Sequence, residues 1–281
     1  MKFRLYYFLS GTLFLLLFIA DIQGQISQGG IPPSFIEQGI TNNIEMEEIS
    51  LADLSTIIKE VENNEKEGTL YKFAKMIPVD FSMNNSGTWT DFPSGARIWR
   101  LKIIAYGALA LGIYYDQFWL PKESRLYLYS EDKEQVIGAF TDLNNSESGL
   151  FANELLKGDV VYLEYYEPKP LAESPVIRIT EVAYAFRSVG YLYEKDTKGF
   201  GDSDACEVNI NCSEGNNWQL QKRGAVRISV KEGSFLGWCS GSLVNNVRQD
   251  KTPYVLTADH CGGNASTSDL NQWVFNFNYE A

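Results

Sequence analysis

From about residue 87 to residue 187 the hydrophobic positions recur in short runs rich in β-branched and aromatic residues, at 98–103, 111–115, 125–129, 160–165 and 176–179. Turn signals separate them: Pro121, Gly138, Asn144-Asn145 and Lys157-Gly158-Asp159. At least five strands at this spacing predict an antiparallel β-sandwich over about 87–187. Its tyrosines, alternating within strands, read as core and sheet surface ahead of a glycan-binding face. Upstream, Leu51, Leu54, Ile57, Ile58 and Val61 recur at helical spacing and predict a short amphipathic helix within 51–65, although the alternating charges there also suit a solvated helix. Residues 25–45, with Gly29-Gly30-Ile31-Pro32-Pro33, are polar and turn-rich and predict a loose arm. Downstream, strands are predicted at 224–230, 242–244, 254–257 and 273–279, so the fold class is mainly β throughout.

The first 24 residues follow a different pattern. Lys2 and Arg4 precede an apolar stretch over about 5–20 and then Ile22-Gln23-Gly24-Gln25, which reads as a secretory signal peptide cut after Gly24. The apolar core falls short of the roughly 20 residues a spanning helix needs and is interrupted by Ser10, Gly11 and Thr12. Export to the periplasm or exterior is expected, with no membrane span once the signal is removed. About 255 residues remain, enough for two domains. All four cysteines lie between Cys206 and Cys261, so the last third depends on an oxidising compartment while the rest stands on core packing. Between them, residues 194–204 are polar and glycine-containing, an exposed and cleavable boundary. The net charge of −12 resides mostly on 25–198, since 199–281 holds six basic and nine acidic residues. Without a basic stripe, such a surface repels polyphosphate, and nucleic acid is excluded as a partner.

The candidate chemistry sits at the only histidine. The run Tyr254-Val255-Leu256-Thr257-Ala258-Asp259-His260-Cys261 closes a strand-like segment, and Trp238-Cys239-Ser240-Gly241-Ser242-Leu243-Val244-Asn245-Asn246 precedes it. Histidine titrates near neutrality unperturbed, so His260 suits the base that a serine nucleophile requires. Asp259 does not suit the orienting carboxylate, because neighbouring side chains diverge. Ser203, in Gly201-Asp202-Ser203-Asp204, lacks the glycine that would shape an oxyanion hole and reads as a linker residue. A zinc site from the cysteines and His260 is the competing reading; the Cys206-x5-Cys212 spacing is poor for it, and no cofactor or metal is expected. Four cysteines allow three pairings.

The two motifs together, Cys-x-Gly-Ser-Leu and Leu-Thr-Ala-x-His-Cys, resemble the histidine loop of chymotrypsin-like serine proteases. More narrowly, Cys206-Glu207-Val208-Asn209-Ile210-Asn211-Cys212-Ser213-Glu214-Gly215 resembles the start of the mature bacterial lysyl endopeptidases. Ser86-Gly87-Thr88-Trp89, Trp99 and residues 160–168 resemble their prosegment more diffusely. The resemblance implies a prosegment over 25–198 and, over 199–281, the first part of a trypsin-like barrel with His260 as catalytic base. It implies a Cys239–Cys261 disulfide and partners for Cys206 and Cys212 beyond Ala281, local pairing of those two being the alternative. A short loop cross-linked in this way would hold the base in place.

The triad order of such enzymes puts aspartate and serine after histidine, and 21 residues follow His260, so the expectation is a chain truncated within its catalytic domain and inactive alone. The complete enzyme would cut protein or peptide substrates after Lys, or after Lys and Arg. Cleavage after Lys198, with Lys195 competing, would free Gly199 and leave the prosegment to partner its own protease domain. Residues 199–281 alone would be marginal, with the strand at 273–279 exposed as an edge. The rival expectation is a secreted β-sandwich binding or adhesion protein with a degenerate protease-like tail.

Overall fold

The computed structural model describes residues 25–37, 39–40, 43–65, 70–187, 210 and 212–278. The expected signal peptide, the linker with Lys195, Lys198, Gly199 and Ser203, and Cys206 lie outside the described residues. The fold is mainly β. Its strands are β1 (Met46–Ile49), β2 (Tyr71–Ser82), β3 (Thr88–Asp91), β4 (Arg97–Ala105), β5 (Ala110–Trp119), β6 (Arg125–Ser130), β7 (Val136–Phe140) and β8 (Phe151–Ala152). They continue with β9 (Leu156–Lys157), β10 (Val160–Glu167), β11 (Val176–Ala185), β12 (Ala225–Glu232), β13 (Phe235–Val244), β14 (Tyr254–Thr257) and β15 (Val274–Phe277). Among the described residues the α-helices are α1 (Leu54–Glu65), α2 (Gln219–Lys222) and α3 (Thr267–Leu270).

The strands form two sheets. One has the order β1-β4-β10-β6-β7, with β3 also on β4; the other runs β15-β12-β13-β2-β11-β5-β8, with β14 on β13 and β9 on β5. The sheets share one core, in which Trp99, Leu101 and Ile103 of β4 and Leu163 of β10 meet Ile113 and Tyr115 of β5 and Ile179 of β11. These side chains are completely buried, each removing apolar area worth roughly 1.5–3 kcal/mol. The apolar stripe of α1, Leu54, Ile57, Ile58 and Val61, packs against the same core. A smaller core of Leu70, Val226, Ile228, Val230, Cys261 and Trp273 fills the half-barrel at the β12–β15 end.

The structure departs from the sequence expectations in several places, and one is Gly138, expected to mark a turn but lying inside β7. The strand β2 is absent from them because Pro78 interrupts its run, and proline cannot donate to a ladder. In the fold Pro78 lies opposite Glu181, at a bulge in β11, and among the described residues the other edge of β2 has no partner strand beyond Lys75. The pairing of β1 with β4 is parallel, so the N-terminal sheets are not wholly antiparallel. The arm expected to be loose is held: Gln28 N–H and Gly29 N–H donate to the carbonyls of Ala139 and Gly138 at 2.9 and 3.0 Å. Pro32 and Pro33 are buried. Beyond them Ser34 N–H donates to Oε1 of the fully buried Glu164 at 2.8 Å, while Tyr129 Oη donates to its Oε2 at 3.1 Å. A buried carboxylate must be hydrogen-bonded, and prolines lose little entropy when fixed, so the arm satisfies Glu164 at low cost.

A further finding is that the second sheet passes through both parts of the chain, because β13 pairs with β2 as well as with β12 and β14. A buried polar cluster ties the parts together. Lys231 of β12 is 7% exposed and its ammonium donates to Glu181 of β11 and, at 2.8 Å, to Oε1 of Gln272. Asp269 lies 3.7 Å from the same ammonium. Gln272 Nε2 in turn donates to the carbonyls of Tyr115 and Phe151 at 3.0 and 3.3 Å.

Candidate functional site

The site is built on the β13–β14 hairpin, whose register pairs Gly241 with Thr257 and Val244 with Tyr254. Gly241 is required by closeness: a Cβ there would lie 2.8 Å from Cγ1 of Val255 and 2.9 Å from the carbonyl oxygen of Leu256. Thr257 Oγ1 donates to the Ser240 carbonyl at 2.8 Å, pinning the end of β14 to its neighbour. Ala258 then leads, in extended backbone, into the 3-10 turn Asp259–Cys261. The amides of Gly262 and Gly263 donate to the Asp259 carbonyl at 3.0 and 2.8 Å, which folds the turn back on itself.

Cys261 is buried and bonded to Cys239, so the turn is fastened covalently to β13. From the far side Trp273 covers the turn: a Cβ on Gly262 would come within 2.9 Å of its ring, and its indole N–H donates to the Lys231 carbonyl at 3.1 Å. Between these supports His260 remains exposed. It borders an open cavity of about 740 Å³ whose walls include Arg227, Trp238, Cys239, Gly241 and Ala258. An imidazole held on a braced turn beside an open cavity can take and return a proton at a bound reactant.

Cys239, His260 and Cys261 stand together, with a ring nitrogen and both sulfurs within 4.8 Å of one another. The sulfurs are spent in the disulfide and are not the thiolates a zinc ion would take. Cys212 is an exposed free thiol. The carboxylate of Asp259 is exposed, and among the described residues the His260 imidazole has no hydrogen-bond or ion-pair partner. His260 therefore lacks an orienting group within the described residues. Arg227 and Trp238, which wall the cavity, were not singled out as site residues by the sequence reasoning. Arg227 lies in no motif and Trp238 entered only as the residue before Cys239, and the guanidinium carbon of Arg227 reaches 3.7 Å from the indole centroid because β12 and β13 are neighbours.

The C-terminal part of the chain, which carries this turn, is matched by a family profile. The profile described as "Lysyl endopeptidase, C-terminal domain" fits residues 200–281. Among curated proteins, the chain is similar to the lysyl endopeptidase of Pseudomonas aeruginosa, with 24% identity over 202 residues, covering 68% of this chain and 42% of that protein. The chain thus spans about two fifths of the length of this relative. No solved structure matches it. These likenesses support a relation to lysyl endopeptidases and, through them, to proteases. Among the described residues no helix is long and apolar enough to cross a membrane.

Proposed function

We propose that this chain is the N-terminal portion of an exported serine endopeptidase precursor, with residues 25–198 as prosegment and His260 as the general base. The observation that carries the reading is the coincidence of the lysyl endopeptidase profile over 200–281 with a disulfide-braced turn that presents the only histidine to an open cavity. In the complete enzyme a serine hydroxyl attacks the scissile carbonyl as His260 takes its proton. The resulting imidazolium then protonates the leaving amine, and the acyl-enzyme is hydrolysed by the reverse sequence. The triad order puts the orienting aspartate and the serine after the histidine, and neither is assigned among residues 261–281, so residues 1–281 alone are inactive. Substrates are proteins or peptides cut after Lys, or after Lys and Arg. Cleavage after Lys198 frees Gly199 as the new N-terminus.

The test begins with the reading frame beyond the codon for Ala281, which should contain an aspartate and a Gly-x-Ser-Gly segment. The protein so encoded should hydrolyse a lysyl anilide, and His260→Ala should reduce kcat by a factor on the order of 10⁴ or more. Hydrolysis that survives His260→Ala would remove the base assignment. A genuine stop after Ala281 would favour the binding-protein reading instead. N-terminal sequencing of the processed protein checks Lys198–Gly199.

A further inference from the structure

The wall of the cavity beside His260 is propped from the N-terminal part of the chain. In the pairing of β2 with β13, Tyr71 faces Trp238 and Lys72 faces Gly237, but the next partner, Leu236, faces Ala74. Phe73 is the extra residue of a β-bulge. Bulges re-aim a side chain at the cost of a ladder position, and here the phenyl ring, fully buried, stacks on the Trp238 indole with centroids 4.1 Å apart and planes 12° from parallel. Gly237 permits the approach, since a Cβ there would lie 2.3 Å from Cγ of Leu70 and 2.9 Å from the carbonyl oxygen of Tyr71. The guanidinium of Arg227 reaches the same indole from β12. Because β2 and β12 flank β13 on opposite sides, the indole is clamped between an aromatic ring and a cation, both favourable contacts.

We infer that Phe73 is a positioning residue for the His260 turn, acting through Trp238 and the adjoining Cys239–Cys261 bond. The inference rests on the proposed role of His260 for its catalytic meaning. The path is short: Trp238 precedes Cys239, Cys239 is bonded to Cys261, and Cys261 follows His260. The N-terminal part of the chain, through β2, is then a structural component of the site. The cavity itself is walled by residues of 225–227, 238–242 and 258–261, so β2 supports the wall from behind without entering it.

The single histidine makes the test direct, because its imidazole cross-peaks in a heteronuclear NMR spectrum of the full chain need no assignment. Phe73→Leu keeps an apolar side chain and removes the stacked ring. It should move the His260 cross-peaks by more than a linewidth and speed dithiothreitol reduction of Cys239–Cys261 by about tenfold through easier local opening. Ile103→Val, a loss of core volume in β4, should leave both unchanged and so separates positioning from general destabilisation. A folded Phe73→Leu protein with unmoved cross-peaks and unchanged reduction rate overturns the inference. If Phe73→Leu does not fold, Arg227→Met releases the same indole from its other face, and the same two readouts decide. Failure of the protease reading would leave a moved imidazole signal standing, whereas an unmoved signal would leave that reading untouched.

Discussion

Replacing Lys231 by methionine tests whether the two parts of the chain are fastened by the buried cluster between β12 and β11. The side chain keeps its length and apolar stem but loses the charge that Glu181, Gln272 and Asp269 face. The lysine side chain is 8% exposed, Asp269 10% and Glu181 24%. At an effective dielectric near 20, one close charge pair is worth about 4 kcal/mol. Desolvation of the ammonium offsets part of this, while removal of one partner strands two partly buried carboxylates, which in fully buried pairs costs about 3–5 kcal/mol. Because water still reaches Glu181, the expected net loss is about 2–4 kcal/mol, or a fall in Tm of roughly 5–10 °C. Urea and thermal unfolding followed by tryptophan fluorescence measure it. The double variant Lys231→Met with Glu181→Leu should recover at least half of the loss, since the stranded carboxylate is then gone. A Lys231→Met protein within about 0.5 kcal/mol of the parent would refute the reasoning, as would a double variant no better than the single one.

Burial raises the carboxyl of Glu154 above its ordinary range. A raised folded-state value means that the ionised form opposes folding: the penalty is present at neutral pH and disappears as pH falls below the unfolded value near 4.3. Glu154→Gln should accordingly raise the urea midpoint at pH 7 and leave it unchanged at pH 3.5. Cys239 and Cys261 are 22 residues apart, so the paired change Cys239→Ala with Cys261→Ala should cost about 3 kcal/mol in reversible unfolding under non-reducing conditions. That difference should vanish when the parent is measured reduced. Gly241→Ala drives a methyl into Val255 and the Leu256 carbonyl and should cost about 1–3 kcal/mol, whereas Gly233→Ala, whose Cβ position meets nothing within 4 Å, exchanges only backbone strain.

What local pattern could determine, it determined. Strands at 98–103, 111–115, 125–129, 160–165, 176–179 and 254–257 fall within β4, β5, β6, β10, β11 and β14, and the helical stripe from Leu54 to Val61 is α1. Period-two and helical spacing record which residues face a core, and that information is local. The Cys239 and His260 motifs were legible for the same reason, being contiguous. Partner choice was not. That β13 takes β2 on one edge and β12 on the other, that Phe73 bulges onto Trp238, and that Lys231 meets Glu181 fifty residues away are decided by which edges lie adjacent once two sheets pack. Pro78 hid β2 because a local rule penalises proline without knowing that, among the described residues, no strand pairs with that edge there. The arm at 25–45 read as loose because its polarity suits water, and the carbonyls of Gly138 and Ala139 and the buried carboxylate of Glu164, 130 residues from Ser34, give it a place to bind. Alternation along a chain specifies a face; only long-range packing, with its bulges and buried charges, specifies what that face meets.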